Sequence, residues 1–270
     1  MFKFNKLSNL KELFERYITI SVITEDFIAF DAKQDAKKCF AYMVEKHFDV
    51  IGVRESGHII GYAKLSKEAK GLLYEHKASF KEDEILLENT PLTEVVYHLA
   101  KTPYIFVKIS DEVAGIVTQA DLHKPAVRIW LYGLISILEI HMFELIRRTY
   151  PKNDWIDKLC KERKEKLSEI YEARKKSNEE IDLLYCTEFC DKRTIIEKSE
   201  FALKATGFTS AKDFSKNLKQ IEVLRNEIAH SCKVSKAQWE TVSELCKKIE
   251  SLIDNIENFL SSGNLDLNRD

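Results

Sequence analysis

Between about Phe27 and Leu122 the apolar positions change their period twice in the same order. Each time the pattern predicts a short strand, an amphipathic helix, and two strands joined by a tight turn. In the first copy Phe27 to Phe30 is a strand, and Asp35 to His47 is a helix with Ala36, Phe40, Met43, Val44 and His47 along one stripe. Val50 to Val53 follows as a buried strand, and a Ser56-Gly57 turn leads into a strand from His58 to Leu65. In the second copy Ile85 to Leu87 is a strand, Thr90-Pro91 opens a helix as N-cap and first-turn proline, and Tyr104 to Ile109 pairs with Val113 to Thr118 as a hairpin. The recurrence is the strongest signal in this half.

After Lys124-Pro125 the period stays helical. Proline suits the start of a helix and keeps its predecessor out of one, so the boundary falls there, with one domain over residues 1-123 and a second over 124-270. The pattern predicts helices over Ala126 to Thr149, Trp155 to Lys176, Glu179 to Lys204 with a break near Lys192, Ala211 to Ala229, and Ser235 to Leu260. The first of these carries a broad apolar face of Ile129, Trp130, Gly133, Leu134, Ile137, Leu138, His141 and Leu145, wide enough for burial on more than one side. The fold class is therefore α+β, two βαββ-type repeats followed by an all-α bundle.

Composition narrows the class. The chain has 270 residues, 44% hydrophobic and 32% charged, which fits a globular protein with room for two cores. With 42 basic against 44 acidic residues there is no global field that demands nucleic acid, so any RNA site must be a local patch. Only eight glycines and four prolines argue for long helices. The cysteines Cys39, Cys160, Cys186, Cys190, Cys232 and Cys246 show no zinc spacing and read as free thiols of a reducing cytoplasm; no metal is expected. Cys186 and Cys190 share a predicted helix, where they read as buried small hydrophobes. The opening residues meet charge too early for a secretory signal. The stretch from Trp130 to Ile146 is interrupted by Glu139, His141 and Glu144, so a core helix is expected and no membrane. The charged run from Lys158 to Lys176 reads as a solvated helix surface laced by intrahelical ion pairs.

The second repeat ends Gly115-Ile116-Val117-Thr118-Gln119-Ala120-Asp121. Gly115 allows close backbone approach, Thr118 can donate to a phosphate near a helix N-terminus, and an ionised Asp121 can accept from both ribose hydroxyls. This string resembles the closing Gly-h-h-Thr/Ser-x-x-Asp motif of a CBS domain, where h is apolar. In that family two copies pack as a pair and hold adenosine nucleotides in the clefts between them. The resemblance implies AMP, ADP or ATP as a regulatory ligand, with Thr90 and Tyr104 as contacts to the base. The first copy departs from the motif: counted from Gly61, the Thr and Asp slots hold Lys64 and Lys67. One site is then degenerate, or these lysines serve a phosphate in the neighbouring site. Thr-x-x-Asp is also an ordinary helix-start pattern.

In the helical half, Leu224-Arg225-Asn226-Glu227-Ile228-Ala229-His230 puts a fixed cation, an amide and an imidazole near the end of an amphipathic helix. Histidine titrates near neutral pH, an arginine can hold a phosphate whose charge grows in the transition state, and Asn226 lies one turn before His230. A helical arginine is otherwise a solvated partner for acids such as Glu222, and a histidine in a last helical turn suits the helix dipole. The string resembles the Arg-x4-His signature of HEPN domains, many of which are metal-independent ribonucleases that pair two motifs at a homodimer interface. The resemblance implies cleavage of single-stranded RNA by its own 2′-hydroxyl, with no cofactor. A carboxylate on an apolar stripe is costly without a partner, so Glu139 either orients Arg225 or His230 across the bundle or sits at a boundary open to solvent. The joined halves suggest a ligand-gated toxin or nuclease of stress or antiviral defence. The alternative is a non-catalytic nucleotide-binding regulator whose helical half serves dimerisation or partner docking.

Overall fold

The computed structural model describes residues 12–14, 16–67, 69–177, 182–229 and 238–262. The chain divides into two compact units, Glu15–Val127 and Arg128–Asp270, the second joined by Met1–Phe14. Strands and helices mix in the first unit and helices make up the described part of the second, an α+β architecture.

In the first unit the elements run β1 (Glu25–Asp26), β2 (Ala29–Asp31), α1 (Ala36–Lys46), β3 (Val50–Glu55), β4 (His58–Lys64), β5 (Ile85–Leu87), α2 (Leu92–Leu99), β6 (Tyr104–Ile109) and β7 (Glu112–Thr118). One sheet has the order β2-β3-β4 and the other β1-β7-β6-β5. In each, the strand before the helix pairs parallel with the first hairpin strand, and the hairpin is antiparallel. The duplication reaches into the backbone. Both hairpins carry a bulge, at Val53/Arg54 and at Val107/Lys108. Both turn through a pair of left-handed residues, Ser56 (φ 50°) with Gly57 (φ 90°) and Ser110 (φ 47°) with Asp111 (φ 72°), the geometry that matches strand twist in a two-residue hairpin.

Three expectations need correction here. The strand drawn over Phe27 to Phe30 begins only at Ala29, as β2 in the sheet of the first repeat, and a separate short strand ahead of it, β1, crosses to the sheet of the second repeat and pairs with β7. Phe27 sits at that crossing and is 4% exposed, so its burial ties the two repeats together. On α1, Asp35 caps the N-terminus by accepting from the Lys38 amide, and His47 ends the helix in the left-handed region at φ 58°. Its buried stripe is Ala36, Cys39, Phe40 and Met43, whereas Val44 is 60% exposed and His47 is exposed, because the stripe turns away before the last turn. On α2 the N-cap is Pro91, and Thr90 stands one residue outside with no side-chain cap.

Between the repeats lies an aromatic core. Tyr62 of β4 and Phe106 of β6 are 4.8 Å apart, with Phe27, Phe80 and Tyr104 around them. Such pairs stabilise by about 1 kcal/mol each beyond the area they bury.

The helices that follow are α3 (Pro125–Thr149), α4 (Lys161–Lys176), α5 (Phe189–Glu197), α6 (Glu200–Ala205), α7 (Ala211–Ala229) and α8 (Gln238–Ser261). α3 buries Trp130, Leu131, Leu134, Ile135, Leu138, Met142 and Leu145, a face even wider than expected, though Ile129 points outward. It is long and apolar enough to cross a membrane by length and composition, and 61% of its most apolar stretch is buried within the protein. α7 and α8 present Phe214, Leu218, Ile221, Leu224 and Trp239, Val242, Ile249, Ile253, Ile256 at helical spacing. Trp155 belongs to a separate 3-10 turn, Asp154–Lys158, and α4 begins only at Lys161. The break expected near Lys192 falls at Lys198-Ser199, where Ser199 caps α6 by accepting from the Ala202 amide; Lys192 lies inside α5. Cys186 and Cys190 accordingly sit on different elements, a 3-10 turn and α5.

Candidate functional sites

The helical site is built on the last turns of α7. Leu218, Ile221, Leu224 and Ile228 face inward, which leaves Arg225 half-buried on the rim and Asn226 exposed. His230 and the Ser231-Cys232-Lys233 break lie outside the described residues. Glu139 of α3 meets Arg225 across the bundle, its Oε2 at 4.0 Å from the guanidinium, while its Oε1 accepts from Lys192 Nζ at 3.0 Å. Lys192 is the residue that sequence reasoning missed. Its side chain is 6% exposed, and the ammonium donates also to the Thr187 carbonyl at 2.9 Å. Glu222, expected as a partner of Arg225, instead pairs with Arg193. A signal for Lys192 does exist: it stands with Phe189, Ile195 and Ile196 on the buried side of α5, and a lysine there needs an acid.

Other charges nearby are engaged in architecture. Arg163 of α4 donates from Nε to Asp191 Oδ1 at 2.9 Å and from a terminal nitrogen to Oδ2, and Asp191 also accepts from the Glu188 amide at the head of α5. Contact with this buried carboxylate pushes the Arg163 guanidinium well above its ordinary range. Lys164 pairs with Asp157 and Lys166 with Glu188, so with Arg163 three cations of α4 reach other elements, while Lys161–Glu165 is an intrahelical pair and most of the helix is exposed as expected. His141 is fully buried and its Nδ1–H donates to the Ile137 carbonyl at 2.8 Å, a core position. Among the described residues no group of three His, Cys, Asp or Glu is placed to hold a metal ion.

In the repeat unit, the structure brings together four of the six residues proposed for a nucleotide. Tyr104 and Thr118 are register partners on neighbouring strands, so their side chains share a face. Lys64 Nζ lies 5.9 Å from the Tyr104 ring and 5.7 Å from that of Tyr62. Val50↔Lys64 in one hairpin answers Tyr104↔Thr118 in the other, so Lys64 does occupy the slot of the missing threonine. Tyr62 donates to the Glu84 carboxylate, and burial, with Tyr104 and Glu84 adding to it, pushes its phenol up to about 12.

Asp121 is nearly buried and already engaged. Its Oδ2 accepts from the Thr118 amide at 2.7 Å and the Thr118 hydroxyl at 2.8 Å, and its Oδ1 faces Lys124 Nζ at 3.0 Å. Lys124 also reaches Glu25 and the Ile23 carbonyl, holding β1 to the end of β7. The helix-start reading of Thr-x-x-Asp is thus realised, as a capping box. The single hydroxyl proton of Thr118 goes to Asp121, not toward a phosphate. Gly115 is also used internally: a Cβ there would stand 2.4 Å from Thr24 Cγ2, so the close approach it permits is that of the segment leading into β1. Thr90 is not part of the cluster. It follows the end of β5 that pairs with Lys108, four residues or about 13 Å of strand from Tyr104.

No family model and no curated protein matches the chain. Solved structures do. An uncharacterized conserved protein from Pyrococcus horikoshii is 18% identical over 38% of this chain and 88% of its own, with a TM-score of 0.34. A CBS domain-containing protein of unknown function from Bacillus anthracis is 12% identical over 42% of this chain and 94% of its own, with a TM-score of 0.35. The CBS domain of a bacterial CNNM/CorC family Mg2+ transporter, solved in complex with ATP, is 15% identical over 46% of this chain and 96% of its own, with a TM-score of 0.34.

Proposed function

We propose that this protein is a nucleotide-regulated, metal-independent endoribonuclease that works as a homodimer in the cytoplasm, in the manner of a stress or antiviral effector. The observation that carries this reading is the setting of Arg225, an arginine held at the rim of the bundle beside the exposed Asn226 and steered by a carboxylate that a buried lysine fixes in place. Structural ion pairs gain little from being semi-exposed, whereas a cation that must meet a phosphate gains from being oriented in advance.

In the proposed reaction the ribose 2′-oxygen attacks its own phosphorus while the bond to the 5′-oxygen breaks. A base takes the 2′-hydroxyl proton, an acid returns one to the leaving 5′-oxygen, and a 2′,3′-cyclic phosphate remains. His230 is the proton carrier in this scheme, Arg225 holds the phosphate, and Asn226 positions substrate. One motif is sparse for the task, so two copies of the chain are expected to share a cleft.

The test is cleavage of end-labelled single-stranded RNA in EDTA. Wild type should yield 2′,3′-cyclic ends and spare a 2′-deoxy strand, and Arg225→Ala or His230→Ala should lose about 100-fold or more in rate. When wild type is mixed with the His230→Ala chain, activity should fall faster than the wild-type fraction. No cleavage, or cleavage that the variants retain, overturns the reading. A second reading, a nucleotide-binding regulator without turnover, is favoured by the outward apolar row Ile129, Tyr132 and Ile140 on α3, a surface suited to docking. It predicts partner binding that His230→Ala leaves intact and no RNA cleavage.

A further inference from the structure

The two cations around Glu139 are not equivalent. Lys192 is inside the bundle, at hydrogen-bond distance from Oε1, and a second bond to the Thr187 carbonyl fixes its ammonium. Arg225 is 34% exposed and stands 4.0 Å from Oε2, beyond hydrogen-bond reach. One carboxylate therefore serves two positive charges, and the cluster keeps a net charge of about +1, carried at the rim by Arg225.

We propose that Lys192 is a positioning residue that occupies Glu139, so that the carboxylate steers Arg225 without neutralising it and leaves its charge for an RNA phosphate. The proposal rests on the reading of Arg225 as an RNA contact. Its physical content is a matter of charge. Without Lys192, both carboxylate oxygens are open to the guanidinium, which has the geometry for a two-pronged carboxylate contact, and Arg225 closes into a neutral pair. Without Lys192 and Glu139 together, Arg225 is again a lone cation. A lysine that merely supported packing would show its loss in thermal stability, with the RNA affinity of the folded variants unchanged.

The decisive measurement is the affinity of the full-length protein for a single-stranded 2′-O-methyl oligonucleotide, which keeps the phosphates but cannot be cleaved. It is followed by fluorescence anisotropy over a range of salt. Arg225→Ala should weaken binding about tenfold and flatten the salt slope by about one ion. Lys192→Met, and Lys192→Gln as a check on packing, should weaken it to a similar extent. Lys192→Arg should bind as wild type does. The Glu139→Gln/Lys192→Met pair should recover to within about threefold of wild type. Thermal melts verify that each variant is folded. If Lys192→Met and Lys192→Gln bind normally while Arg225→Ala is weak, or if the double variant is as weak as Lys192→Met, the proposal is overturned and the RNA role of Arg225 stands. If Arg225→Ala itself binds as wild type does, both fall. RNA binding that follows this pattern without any cleavage would support the proposal and overturn only the nuclease.

Discussion

Tyr62 shows how much of a residue's behaviour comes from its surroundings. The ring is 3% exposed, stacked on Phe80 at 5.6 Å and bonded to Glu84, and burial of the phenol dominates the rise of its titration to about 12. The folded state thus favours the neutral form, so this contribution is complete below the unfolded value near 10 and is lost as pH climbs from about 10 toward about 12. Denaturant melts should show stability falling through that window by an amount on the order of 2 kcal/mol, and Tyr62→Phe should flatten the fall. An unchanged slope in the variant would mean that other groups carry the alkaline loss. The sequence marks Tyr62 only as an apolar position on a strand. Glu139, by contrast, is legible, because a carboxylate on an apolar stripe announces a partner. Its stronger partner is not. Lys192 and Glu139 are 53 positions apart, and periodicity says which face each occupies but not which faces meet.

At the scale of elements, boundaries are legible where local chemistry sets them. The strands over Ile85–Leu87 and Tyr104–Ile109 match their patterns end for end, and α1 starts within one residue of its expected start because Asp35 caps it. They are missed where two signals compete. Trp155 satisfies a helical stripe, yet Asn153, in the left-handed region, accepts from its indole and the turn closes as 3-10 before α4 begins. The closing motif of the second repeat is the consequential case, since the same Thr118 and Asp121 satisfy a capping box and a ribose-binding pattern. Nucleotide binding must then compete with Lys124 for Asp121. On that basis Lys124→Met should tighten AMP, ADP or ATP binding several-fold in calorimetry, because the carboxylate is released, while Asp121→Ala should abolish it and cost about 1 kcal/mol of stability as a lost cap. Binding that survives Asp121→Ala would leave the motif a capping box alone.

The whole molecule poses a question of coupling. Lys124 stands immediately before α3, and its ion pair with Asp121 is the one that a ribose there would break; α3 then carries Glu139, whose carboxylate faces Arg225. A nucleotide can alter events at Arg225 only if it binds two states of the protein with different affinity, and coupling of that kind is reciprocal. The factor by which ATP changes the affinity for a 2′-O-methyl oligonucleotide must equal the factor by which the oligonucleotide changes the affinity for ATP. Couplings of this sort commonly reach about 5- to 150-fold. We expect a factor in that range, measured by titrating each ligand in the presence and absence of the other. We also expect it to fall toward one in Lys124→Met, where the nucleotide no longer has an ion pair to displace. Equal coupling in wild type and Lys124→Met would take Lys124 out of the path. A factor of one in wild type would leave two functional units that share a chain and do not regulate each other.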